Sequence, residues 1–160
     1  MNLFTDIRTL VVSALDAMQS EGQLPEGLNY ANVAVEPPRD AAHGDMATNA
    51  AMVLAKPAKM KPRDIADALA AKLVQDDRVT SAEVAGPGFL NLRIAPSQWH
   101  DVVRAALETG ASFGRSSMGQ GKKVNVEFVS ANPTGPLHVG HTRGAVFGDA
   151  LAALLDFSGF

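Results

Sequence analysis

The chain has 160 residues, 46% of them hydrophobic and 19% charged, with a formal net charge of −3 at pH 7 and no cysteine. That length supports one domain, or one small domain with part of another. The missing cysteine excludes disulfide scaffolds, Cys-based zinc sites and thiol catalysis, no apolar run approaches the ~20 residues needed to span a bilayer, and the acidic balance argues against a chain that coats nucleic acid without specificity.

Met1-Asn2-Leu3-Phe4-Thr5-Asp6 lacks a basic stretch followed by an apolar one, so no secretory signal is expected and the cytoplasm is the expected compartment. Residues 3 to 21 read as an amphipathic helix, with Leu3, Ile7, Leu10, Val11, Ala14, Leu15 and Met18 at spacings of three and four; Gly22 and Pro25 stop it. Asn32 to Glu36 alternates as a short strand ended by Pro37-Pro38, and 39–46 reads as a loop. Met46 to Lys56 is a predicted helix. Pro57 and Pro62 bracket a basic turn, and Lys56, Lys59, Lys61 and Arg63 in and beside it form the best local basic cluster, read either as a solvated loop or as a local nucleic-acid contact. Pro62 suits the first turn of a helix carrying Ile65, Leu69, Leu73 and Val74.

Ala82 to Ile94 reads as a hairpin around Gly86-Pro87-Gly88. In its second strand Leu90, Leu92 and Ile94 share one face, and Phe89, Asn91 and Arg93 the other. An aromatic on the polar face is either packed against a neighbouring loop or exposed as a stacking platform. Trp99 to Leu107 is a further helix. Gly110 to Gly121 is rich in Gly and Ser and reads as a boundary, giving a domain over 1–112, a linker over 113–121 and a further segment over 122–160. The charge divides there too: residues 1–112 hold 10 basic and 14 acidic side chains, and residues 113–160 hold 4 and 3.

The last segment reads as a strand over Lys122–Ser130, a tight Ala131-Asn-Pro-Thr-Gly-Pro136 turn and a helix from Leu137 to Asp156. One strand and one helix leave backbone groups and apolar surface without partners, so the expectation is an amino-terminal piece of a longer protein. The turn sits where a strand gives way to a helix, the place where ligands bind in parallel α/β sheets. Free N–H groups and the positive end of the helix dipole make phosphate the natural guest. His138 and His141, three apart, share a face of the first turn and suit charge growing on a phosphorus centre. Gly140, Gly144 and Gly148 form a bare stripe that permits close approach. With no cysteine, and with His43 and His100 distant in sequence, no metal site is expected.

Ser130-Ala-Asn-Pro-Thr-Gly-Pro-Leu-His138-Val-Gly-His141 resembles the first signature of the class I aminoacyl-tRNA synthetases, in the form used by bacterial arginyl-tRNA synthetases. Glu127-Phe128 upstream and Thr142 to Asp149 downstream fit the same family. Gly44-Asp-Met-Ala-Thr-Asn-Ala-Ala51 and Gly86-Pro-Gly-Phe-Leu-Asn91 resemble its N-terminal additional domain, so the likeness covers essentially the whole chain. It implies an α/β chain: an α+β additional domain of helices and a small antiparallel sheet, then the first βα unit of a Rossmann-type catalytic domain. It implies the amino-terminal part of an enzyme that activates L-arginine with ATP, entering with Mg2+ as a substrate, and transfers it to tRNA(Arg), with no tightly bound metal and no membrane partner, the full-length enzyme being a monomer.

By the resemblance His138 and His141 stabilise the α-phosphate, Gly140 lets adenine lie against the helix, and Glu127, Ser130 and Asn132 hold the α-amino and carboxylate end of arginine. Phe89 and Asn91 match positions that contact the tRNA D-loop. Gly135 stands where some relatives carry lysine, so electrostatic help to ATP comes from elsewhere. Two other readings differ in class: a free-standing tRNA-binding module without catalysis, and a small nucleotidyltransferase with a His-x-Gly-His helix start.

Overall fold

A computed structural model describes residues 2–160. The chain divides into two compact units, Met1–Gly110 and Ala111–Phe160.

In the first unit, α1 (Leu3–Ser20) starts at Asn2, whose side-chain oxygen accepts the Phe4 and Thr5 N–H groups. Its three-and-four spacing puts Ile7, Val11, Leu15 and Met18 on one fully buried face. Two more helices join it, α2 (Ala50–Ala58) and α3 (Pro62–Leu73). Proline at the first position of α3 forgoes an N–H that would have no helical partner. The sheet holds β1 (Val35–Glu36), β2 (Met46–Thr48), β3 (Val79–Ala85) and β4 (Phe89–Ile94) in the order β1-β2-β4-β3, with every neighbouring pair antiparallel. The three helices pack together and on one face of this sheet, where Leu90, Leu92 and Ile94 meet Leu54, Ile65 and Leu69 in a single core. Each such aliphatic side chain contributes roughly 1.5–3 kcal/mol by leaving water. α4 (Pro96–Thr109) follows β4 and buries none of its residues fully.

Three expectations change here. Met46–Thr48 is a strand, and the helix begins only at Ala50, because Met46, Ala47 and Thr48 pair with Leu92, Asn91 and Leu90. Gly44, at φ +113°, lets the chain enter that pairing: a Cβ there would lie 2.7 Å from the Leu92 carbonyl oxygen. The predicted strand over 32–36 shortens to Val35–Glu36, since Val33 N–H closes a turn onto the Tyr30 carbonyl. The hairpin lengthens, its first strand starting at Val79.

In the second unit, residues 122–130 form no strand. A strand of this kind needs neighbours to exchange backbone hydrogen bonds; none lies beside it among the described residues, and Val129, at φ +60°, breaks the extended run. α5 (Val139–Phe157) is the long element. The Gly/Ser stretch predicted as a linker bonds back to its end: Ser116, Gly119 and Gly121 N–H groups donate to the Phe157, Ser158 and Gly159 carbonyls. Arg115 adds an ion pair to Asp156 and stands 5.4 Å over the Phe157 ring.

Candidate functional site

The start of α5 is built by its two histidines. His138 is the N-cap, in extended conformation, and its Nδ1 accepts the Gly140 N–H at 3.1 Å. His141 reaches back, its Nδ1 accepting the His138 N–H at 3.4 Å. This is a capping box in which imidazoles take the places usually held by Ser or Thr and Glu. The rings stack with centroids 3.7 Å apart and planes at 24°. With each Nδ1 accepting a backbone N–H, Nε2 is the ring nitrogen left to donate outward. Both Nε2–H groups are donors with no partner among the described residues.

The three α5 glycines serve different neighbours. A Cβ on Gly140 would come within 3.0 Å of the His138 ring, and one on Gly148 within 2.2 Å of Phe128; Gly144 faces open space. Val139, Val146 and Phe147 are exposed around them. Just upstream, Ser130 Oγ donates to Glu127 Oε1 at 2.6 Å, bringing two of the expected site residues together. Asn132 is exposed, and its carbonyl accepts the Thr134 N–H at 2.8 Å. Gly135 adds no charge beside this turn. Among the described residues no three His, Asp or Glu side chains converge as metal ligands would.

The first unit carries a separate groove of about 520 Å³ on the sheet face away from the helices. Phe89 and Asn91 line it from β4, facing Glu36, Pro37, Arg39 and His43. Phe89 is 44% exposed, so its ring is neither core nor free in solvent. The far wall is held by two residues that hydrophobic patterning did not single out. Thr48 is 1% exposed; its hydroxyl donates to the Ala34 carbonyl at 2.8 Å. Asn49 Oδ1 accepts the Ala34 N–H at 2.8 Å and its Nδ2 donates to the Asn32 carbonyl. Arg8 holds the same loop from α1, donating to the Val33 and Tyr30 carbonyls. Asp45 ties β2 to β4 by accepting the Ile94 N–H. The legible signal was a set of short polar residues, Asp45, Thr48 and Asn49, on either side of Met46-Ala47; what it lacked was the identity of the backbone it bonds.

Residues 102–160, which include the histidine cap, match the family model described as the class I (arginine) tRNA synthetase catalytic domain. Residues 5–94 match the model described as the arginyl-tRNA synthetase N-terminal domain, and the chain belongs to the arginyl-tRNA synthetase family. It is 79% identical over 160 residues to the arginine–tRNA ligase of Ruegeria sp. (strain TM1040), covering all of this chain and 28% of that relative. With the enzyme of that name from Paracoccus denitrificans (strain Pd 1222) it shares 75% over 159 residues, 99% of this chain and 27% of the relative. Among solved structures, the Thermus thermophilus arginyl-tRNA synthetase superposes with a TM-score of 0.60 at 29% identity, over 99% of this chain and 24% of that one. The Plasmodium falciparum arginyl-tRNA synthetase shares the fold, with a TM-score of 0.62 at 16% identity, over 98% and 28%. The chain thus spans about a quarter of the length of these relatives. Two family models in this order leave the nucleotidyltransferase reading without support. No helix among the described residues is long and apolar enough to cross a membrane.

Proposed function

We propose that this chain is the amino-terminal part of an arginine–tRNA ligase, and that the reciprocal histidine cap of α5 is its phosphate-binding element. In the first step a carboxylate oxygen of L-arginine attacks the α-phosphorus of ATP, which enters as its Mg2+ complex. The bond to the bridging oxygen breaks, and pyrophosphate leaves with arginyl-adenylate formed. Negative charge grows on the non-bridging oxygens. The Nε2–H groups of His138 and His141 and the positive end of α5 stabilise it. Because each Nδ1 is already held by backbone, the donors are oriented before substrate arrives. Gly140 keeps the first turn bare for adenine. Glu127 pairs with the α-ammonium of arginine, its carboxylate steadied by Ser130, while Asn132 binds at the carboxylate end.

In the second step a hydroxyl of the terminal ribose of tRNA(Arg) attacks the arginyl carbonyl and AMP leaves. The additional domain, residues 1–112 in this reading, holds the D-loop of that tRNA, with one base stacked on Phe89 and its edge bonded by Asn91. Residues 113–121 join it to the start of the catalytic domain at 122–160. The enzyme works as a monomer in the cytoplasm, where its three substrates meet. The observation that carries the reading is the pair of oriented imidazole donors at a helix start. Arginine-dependent incorporation of pyrophosphate into ATP, measured on the full-length protein with tRNA present, tests it. Exchange driven by another amino acid, or none with arginine, refutes it.

A further inference from the structure

We propose that the turn between α2 and α3 grips the sugar-phosphate backbone of tRNA beside the base held at Phe89. The inference rests on the tRNA reading above and adds a point of attachment to it. Between residues 56 and 64 the chain places four cations, Lys56, Lys59, Lys61 and Arg63, against one carboxylate, Asp64. All four cations are exposed, and none is in an ion pair among the described residues. Around them the first 112 residues are net acidic, so this is where a polyanion can approach without repulsion.

The fold packs this turn against the β3–β4 turn, next to the Phe89 end of β4. A Cβ on Gly88 would lie 2.7 Å from the Pro62 side chain and 3.1 Å from its carbonyl carbon, so the β3–β4 turn rests directly on the residue between Lys61 and Arg63. Gly88 is the immediate neighbour of Phe89. In the proposed complex, the phosphates flanking a nucleotide stacked on that ring lie towards the basic turn.

Lys59 supplies a second observation. It ends α2 in the left-handed conformation, at φ 54°, with its N–H bonded to the Ala55 and Lys56 carbonyls. Glycine is the ordinary occupant of that position because it adopts the conformation without strain. A lysine there keeps a charge at the expense of backbone ease.

Filter binding of tRNA(Arg) to the full-length protein across a range of salt concentrations tests the proposal. In the triple variant Lys59→Gln, Lys61→Gln, Arg63→Gln, the slope of log K against log[salt] becomes shallower by about 2–3, at roughly 0.7–0.9 for each phosphate no longer neutralised. Affinity falls by the same factor for cognate and D-loop-substituted tRNA. Lys59→Gly lowers the slope by about 1 with a melting temperature equal to or above that of the parent, a split that a purely structural lysine would not produce. An unchanged slope in the triple variant overturns the proposal. If Phe89→Ala then weakens binding, the basic turn alone is refuted; if Phe89→Ala is also without effect, the tRNA reading of the domain falls with it.

Discussion

His138 and His141 cap one another: the first holds the Gly140 N–H, the second holds the His138 N–H, and the rings lie face to face at 3.7 Å. Each histidine therefore has a structural role at Nδ1 and a free donor at Nε2, and the two roles separate by substitution. Replacing either with alanine in the full-length enzyme lowers kcat by roughly 10²–10³, the usual loss for one transition-state donor. His138→Asn replaces the Nδ1 acceptor at the N-cap with an amide oxygen but offers no donor where Nε2 stands. It is expected to melt with the parent and to lose as much ATP–pyrophosphate exchange as His138→Ala. Near-normal exchange in all three variants would mean that the cap is only a cap.

Phe89→Ala weakens tRNA binding by about 1–3 kcal/mol, the scale of one base–aromatic stack. The ring is 44% exposed, so the melting temperature changes little. Asn91→Ala blunts discrimination at one D-loop base, read by comparing cognate and D-loop-substituted tRNA. A large drop in melting temperature with binding intact would instead make the ring part of the core.

Thr48→Val tests the wall of the groove. Valine keeps the volume but leaves the Ala34 carbonyl without the Thr48 hydroxyl and removes the acceptor that the Ala50 N–H meets at 3.3 Å. The expected cost is about 1–3 kcal/mol, several degrees in melting temperature for a unit of this size. Asn49→Ala, which frees the backbone at Asn32 and Ala34, lowers stability less and tRNA affinity more. Equal stability of Thr48→Val and parent would show that the buried hydroxyl contributes nothing.

Asp76 and Arg78 predict a behaviour in acid. The turn between α3 and β3 sets the carboxylate against the guanidinium, with two bonds of 2.8 Å, and against the Arg78 N–H at 3.0 Å. The Arg78 side chain, more than any other group, holds the Asp76 carboxyl down to about 2 from its ordinary 3.8. A pKa depressed in the fold contributes stability that is complete above 3.8 and lost as pH falls towards about 2. Melting temperatures of parent and Asp76→Asn should therefore differ at pH 5 and converge near pH 2. A constant difference over that window would place the effect elsewhere.

The helices were legible because each writes its buried face locally: Ile7, Val11, Leu15 and Met18 fall on one side of α1 whatever else the chain does. The hairpin was legible from Gly86-Pro87-Gly88 and the alternation of β4. Met46–Thr48 was not, since three residues cannot show a period and its partner lies more than forty residues on. Lys122–Ser130 shows the reverse case, an alternating pattern whose pairing must come from outside the segment. Ser116 to Gly121 looked like a linker by composition, although glycine there allows close approach to the end of α5: a Cβ on Gly119 would strike Phe160. At the candidate site, the shared face of His138 and His141 followed from spacing, while the reciprocal use of Nδ1 depended on side-chain rotation that spacing does not specify.

β4 assigns its even-numbered residues to cohesion and its odd-numbered ones to dealings with the outside: Leu90, Leu92 and Ile94 are at most 4% exposed, whereas Phe89, Asn91 and Arg93 face away from them. Mutation can therefore drift along the odd positions with little effect on folding. A change of nucleotide in the partner RNA can be met by a change at Asn91 or Phe89 alone, one codon at a time. Substitution at those two positions is therefore expected to alter which RNA is held, and substitution at Leu90 or Leu92 to alter whether the domain folds.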